Sequence, residues 1–293
     1  MDERSDTMKQ TRAPWSPRLP GTLLVPLDGS EVAARAIPIA TAVAYDVGAD
    51  VVVMTTPQTR DAQRRDETPE WLTEAAEVAR AKSLVVLDHD PARAIATTAS
   101  ELGDAVVCMS THGHGRVSGV ALGHVAENAV RRVGSPVVLV GPECAPWHPG
   151  PLLVGHDGSA AADAILPAAR TWAAALGIRA SLVFAFHPLD VESARELPQA
   201  VINAAAALGT STPLHSVRDS YPAGAILTLA EQLDPALIAM STHGRTGWGR
   251  LALGSVVTTV IRSSPCPVLV LRSRDADDTP SARSSHTTER SLR

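Results

Sequence analysis

With 293 residues and 45% hydrophobic content, the chain has enough apolar material for two ordinary globular domains. A net charge of −5 argues against nucleic acid as a partner, and an aromatic share of 3% leaves few stacking platforms for single strands. No apolar run is long enough to span a bilayer, and the charged opening MDERSDTMKQ does not resemble a secretory leader, so a membrane role is not expected.

In chain order, residues 1–20 are polar and read as a disordered N-terminal tail. TLLVPL (22–27), ADVVVMT (49–55), SLVVLD (83–88), AVVCMS (105–110) and PVVLVG (136–141) are short, β-branched apolar runs and predict strands. Between them SEVAARAIPIATAVAYDVGA (30–49) and DPARAIATTASELGD (90–104) predict helices, the second with an Asp90-Pro91 start. PQTRDAQRRDETPEWL (57–72) predicts an exposed loop running into a helix. Strands buried on both faces and alternating with helices predict a parallel, doubly wound sheet.

The plan then repeats. ECAPWHPGP (143–151) is a stiff, proline-rich connection. After it LLVGHD (152–157), ASLVFAF (180–186), LHSVR (214–218), ALIAMS (236–241) and PVLVLR (267–272) follow in the same order. LLVPLDGSEVAARAI echoes LLVGHDGSAAADAI, and Met-Ser-Thr-His-Gly occurs at both 109–113 and 240–244. A repeat this long predicts duplicated domains rather than a solenoid: 21–142 and 151–272, a linker at 143–150, and a disordered tail at 273–293. Cys108, Cys144 and Cys266 are odd in number and lack metal spacing. Cys108 and Cys266 lie in or beside apolar strand-like runs and read as small hydrophobes, which favours a reducing, cytoplasmic location.

In such sheets ligands bind beyond the carboxyl ends of the strands, where strand order reverses. Asp28 and Asp157 stand at that end of the first strand of each half, and the Ser-Thr-His-Gly runs at that end of the fourth. Gly123 and Gly254 each open a helix whose amides and dipole suit phosphate, and glycine allows close backbone approach and positive φ. Asp-Gly-Ser is equally an ordinary helix-capping turn, and glycines between strand and helix are equally turn chemistry. Two copies of the whole arrangement favour a phosphate site.

Each half resembles a universal stress protein domain, and the whole is similar to the tandem form. In nucleotide-binding members the loop reads Gly-x2-Gly-x9-Gly-Ser/Thr. Here the halves read Ser110-x2-Gly113-x9-Gly123-His124 and Ser241-x2-Gly244-x9-Gly254-Ser255. The departures are serine for the first glycine in both halves, where a positive φ would count against backbone approach, and the bulkier His124 in one.

The resemblance implies two Rossmann-like domains, each a five-stranded parallel sheet flanked by helices, that pair through their last strands. It also implies an ATP site. Asp28 and Asp157 would lie near the adenosine, and Met109, Ser110, Met240 and Ser241 along its ribose side. Gly113, Gly123, His124 and Val125 would hold phosphates in one half; Gly244, Gly254, Ser255 and Val256 would do so in the other. Mg²⁺ would accompany the ATP.

The expected role is a nucleotide-dependent stress or growth regulator with little or no catalysis, since there is no Gly-x4-Gly-Lys-Ser/Thr loop and no lysine in the glycine loops. A regulatory protein partner and a homodimer go with it. The competing readings are a nucleotide-free dimerising scaffold and a slow ATP hydrolase. His112 and His243 read as loop residues rather than general bases, Arg116 and Arg245 as solvated, and Trp248 as a loop anchor.

Overall fold

The computed structural model describes residues 19–57, 68–113, 122–242 and 253–272. The first half runs β1 (Thr22–Pro26), α1 (Glu31–Ala34), α2 (Ala36–Val47), β2 (Asp50–Thr55), α3 (Glu70–Ala79), β3 (Lys82–Val85), α4 (Pro91–Glu101), β4 (Ala105–Ser110), α5 (His124–Arg132) and β5 (Val137–Val140). The second runs β6 (Leu152–Gly155), α6 (Ala160–Asp163), α7 (Leu166–Leu176), β7 (Ala180–Phe186), α8 (Val191–Arg195), α9 (Gln199–Leu208), β8 (Leu214–Arg218), α10 (Pro222–Leu233), β9 (Leu237–Ser241), α11 (Ser255–Ser263) and β10 (Val268–Leu271).

The central strands are apolar at nearly every position because both of their faces are covered. Leu23, Val25 and Leu27 join the core formed with α2 and α3, whereas Leu24 turns to the opposite core with Met54 and Met109. The first of these cores continues under α7 and α9, and the second runs from α4 and α5 to α10 and α11, so each is shared by both halves.

The sequence 30–49 forms two helices rather than one. Pro38, third in α2, has no N–H to give to the Ala34 carbonyl, and the helix restarts after Arg35. Pro167 does the same near the start of α7. Gly48 and Gly177, at φ +70° and +65°, close α2 and α7 in the left-handed conformation.

The strand order is β3-β2-β1-β4-β5-β10-β9-β6-β7-β8. Within each half neighbouring strands are parallel, and the order reverses between β1 and β4 and between β6 and β9. The two five-stranded sheets fuse where β5 and β10 pair antiparallel, Leu139 opposite Val268 and Val137 opposite Val270. Each half therefore covers the other's final strand, as the resemblance implies.

The proline-rich connection is tied to both halves. Trp147 Nε1 donates to Asp46 Oδ2 (2.8 Å) on α2, and the Ala145 N–H donates to the Pro265 carbonyl (2.8 Å). Arg35 Nη2 donates to the Pro142 carbonyl at 2.7 Å. Across the seam Arg272 Nη1 donates to the Arg131 carbonyl (2.9 Å), placing a cation at the carboxyl end of α5, where the helix dipole favours it. The predicted tails fall almost wholly outside the described residues.

Candidate functional site

Both sheet reversals are built from the same parts. After β1 the chain turns through Asp28-Gly29-Ser30, with Gly29 at φ +83°; after β6 it turns through Asp157-Gly158-Ser159, with Gly158 at φ +80°. Asp28 Oδ1 accepts from the Ser30 N–H (3.0 Å) and hydroxyl (2.6 Å), and Ser30 Oγ accepts from the Ala33 N–H (3.1 Å). Asp157 and Ser159 repeat this relay onto Ala162 at 3.0, 2.6 and 3.2 Å. The helix-capping reading of these turns therefore holds.

It does not exhaust the aspartate. A Cβ on Gly113 would lie 2.1 Å from Asp28 Oδ2, so the carboxylate reaches across from the end of β1 to the segment leaving β4. Glycine at 113 makes room for that contact.

Gly123 and Gly254 begin α5 and α11 at φ −65° and −57°. Positive φ is thus not what selects glycine there; close approach is. The Gly123 N–H donates to the Thr111 carbonyl (2.7 Å) and the Gly254 N–H to the Thr242 carbonyl (2.9 Å), and a Cβ at either position would stand 3.1 Å from that oxygen. Neither helix has a side-chain cap, a feature shared with α2, α3, α7, α9 and α10, whereas α1, α4, α6 and α8 are capped by Ser30, Asp90, Ser159 and Asp190. The first three amides of each helix, at His124, Val125 and Ala126 and at Ser255, Val256 and Val257, have no intrahelical acceptor and stand at the positive end of the dipole.

Ser110 and Ser241 end β4 and β9 without positive φ, so serine replaces glycine there at no backbone cost. Ser241 Oγ donates to the Ala161 carbonyl (2.7 Å), which ties β9 to α6. The His124 ring is exposed and leans along its helix to Asn128 (Nε2 to Nδ2, 3.1 Å).

In the first half these parts line one cleft of about 830 Å³. One wall is Asp28 with Met54, Thr55 and Trp71; the other is Met109 to Gly113 and Gly123 to Ala126. Its described lining holds no lysine or arginine. All the candidate residues of this half meet there. In the second half Asp157, Met240, Ser241, Gly254, Ser255 and Val256 occupy the corresponding positions along β6, β9 and α11. Gly244, His243, Arg245, Trp248 and Arg116 lie outside the described residues. His112 bonds the Thr111 hydroxyl through Nδ1 at 2.9 Å, as a loop residue does.

Two features escaped the sequence reading. Trp71, on the first turn of α3, stands at the end of the stretch read as an exposed loop running into a helix and was given no role there. His156, where the first half has Leu27, is buried: the Gly158 N–H donates to its Nδ1 (3.0 Å), so Nε2–H faces Asp163 Oδ1 (3.0 Å). His156 directly precedes its Asp-Gly-Ser turn, and that adjacency was the available signal; Trp71 meets its turn only in space.

Among the described residues no three His, Cys, Asp or Glu side chains gather as a metal site. Burial pushes the thiols up, Cys144 to about 11 and Cys266 to about 12, so they are neutral packing groups at ordinary pH.

The sequence model of the universal stress protein family matches this chain twice, over residues 21–141 and 150–272. The chain belongs to the universal stress protein family. A universal stress protein of Mycobacterium tuberculosis is 28% identical over 182 residues, 57% of this chain and 61% of that one. A second from the same organism is 28% identical over 197 residues, 62% of this chain and 66% of the relative. The alignments thus span somewhat under two thirds of these relatives' lengths.

Among solved structures, a functionally unknown protein of Pseudomonas aeruginosa superposes with TM-score 0.64 at 18% identity, covering 87% of this chain and 93% of that one. A universal stress protein of Archaeoglobus fulgidus gives 0.60 at 21%, covering 87% and 99%. These likenesses show the fold: this universal stress protein is a tandem of two Rossmann-like α/β domains. No described helix is long and apolar enough to cross a membrane.

Proposed function

We propose that this universal stress protein binds an adenine nucleotide, ATP with Mg²⁺, and acts as a nucleotide-dependent stress or growth regulator with little or no catalysis. One observation carries the reading. At each reversal of strand order a helix opens without a side-chain cap, through a glycine pressed against the preceding strand's exit, opposite an aspartate turn. Amides at a helix start that faces the crevice at a sheet reversal are placed to take an anion as their partner.

The first-half cleft of about 830 Å³ fits a nucleotide in size, with Leu27, Met54, Ile95 and Met109 apolar enough for a base. Asp28 is the hydrogen-bond acceptor near it. The amides of His124, Val125 and Ala126 would hold the phosphates, as those of Ser255 and Val256 would beside Asp157. Bound Mg²⁺ would offset phosphate charge that the described lining, lacking lysine and arginine, leaves uncompensated. Its ligands would then be phosphate oxygens and water rather than a protein cluster. Phosphates held mainly by main-chain donors make a sensor, because such donors bind without activating water.

Calorimetric titration of the full chain with ATP and Mg²⁺, alongside native mass spectrometry, tests this. At least one nucleotide per chain is expected, retained intact over hours. No binding at millimolar ATP would overturn it in favour of the nucleotide-free scaffold. Rapid release of ADP would instead favour the hydrolase.

A further inference from the structure

The two halves are not equivalent at the start of the helix that leads into their third strand. Pro69 and Pro198 begin α3 and α9 with the same geometry, φ −57° and −55°, ψ 140° and 134°. Two residues on, the first half carries Trp71 and the second Ala200.

The backbone that carries Trp71 is anchored by its neighbours. Its neighbour Leu72 is fully buried, and the Leu72 N–H donates to the Pro69 carbonyl at 2.9 Å. The indole lies over the turn glycine: a Cβ on Gly29 would meet Cε2, Nε1 and Cδ2 at 3.1, 3.4 and 3.5 Å. Three ring atoms at similar distances place the flat of the ring there, one residue from Asp28. The side chain is half-buried, lines the cleft, and makes no hydrogen bond from its indole N–H to a described residue.

We infer that Trp71 is a base-binding residue of the first-half site, an aromatic wall that takes the face or edge of the nucleotide's base. Asp28 beside it supplies the polar acceptor. This rests on the nucleotide reading above and deepens it: the first-half cleft gains affinity from the base through an aromatic contact that Ala200, at the matching sequence position of the second half, does not offer. An aromatic wall adds affinity because base and indole remove each other's flat apolar surfaces from water, and every base has such a face.

The test compares the full-length wild type, Trp71→Ala and Trp71→Phe. ATP affinity is measured by calorimetry, nucleotides per chain by native mass spectrometry, and indole emission during titration. Trp71→Ala is expected to weaken one site by about tenfold or more, and Trp71→Phe to remain within about threefold of wild type. ATP should quench indole emission in the wild type, and that quench should be lost in Trp71→Phe while binding persists.

The proposal is overturned if the wild type binds ATP and Trp71→Ala binds within twofold of it. It also fails if Ala and Phe weaken binding equally, which marks a packing role, or if the quench survives in Trp71→Phe. A wild type that binds no nucleotide is a separate result and removes the nucleotide reading itself.

Discussion

Gly29 and Gly123 lack a Cβ for different reasons, and the difference is measurable. Gly29 is held at φ +83° under an indole, so Gly29→Ala incurs left-handed strain of about 1–2 kcal/mol and displaces Trp71 as well. Gly123 has an ordinary φ of −65° and needs only a few tenths of an ångström from the Thr111 carbonyl. Gly123→Ala is therefore expected to lose less stability than Gly29→Ala in urea unfolding, yet to weaken ATP binding by shifting the start of α5. Equal destabilisation would contradict this assignment. Sequence spacing placed all these glycines at strand exits, but a letter G does not say whether φ or proximity demands it. Close approach and positive φ were both open to the glycines of the sheet reversals; Gly123 and Gly254 show the first, and Gly29 and Gly158 of the Asp-Gly-Ser turns the second.

Helix beginnings divide into those the protein caps and those it leaves open. Ser30 and Ser159 cap α1 and α6, and each is steadied by an aspartate oxygen at 2.6 Å. Ser30→Ala or Ser159→Ala should each lower stability by about 1 kcal/mol, read as a fall in the thermal midpoint. Each also removes one of the hydrogen bonds that orient Asp28 or Asp157, so nucleotide affinity should change in the same variant. Unchanged stability would mean that the relay contributes little. The strands were legible in the sequence because burial on both faces leaves continuous runs such as LLV and VVLV. The break at Arg35 was less so, since Pro38 is tolerated in a first turn and forbids only a longer helix. Trp71 was missed because one aromatic at a loop–helix boundary has no periodicity to betray it.

The duplication yields one cooperative body. Both cores draw residues from both halves, and the β5–β10 ladder crosses between them at positions 137–139 and 268–270, all at most 1% exposed. Differential scanning calorimetry should therefore record a single unfolding transition whose calorimetric and van't Hoff enthalpies agree. Two resolved peaks would show that the halves melt independently.

Because β5 and β10 satisfy each other's backbones within one molecule, the rows of unpaired donors and acceptors retreat to the outermost strands, β3 and β8. A second chain extending the sheet has to add there. Joining β3 to β3 or β8 to β8 closes on a two-fold axis, whereas β3 against β8 repeats head to tail and grows a fibre. Lys82 and Arg218, exposed at opposite margins of the sheet, put like charge on both and disfavour that runaway stacking.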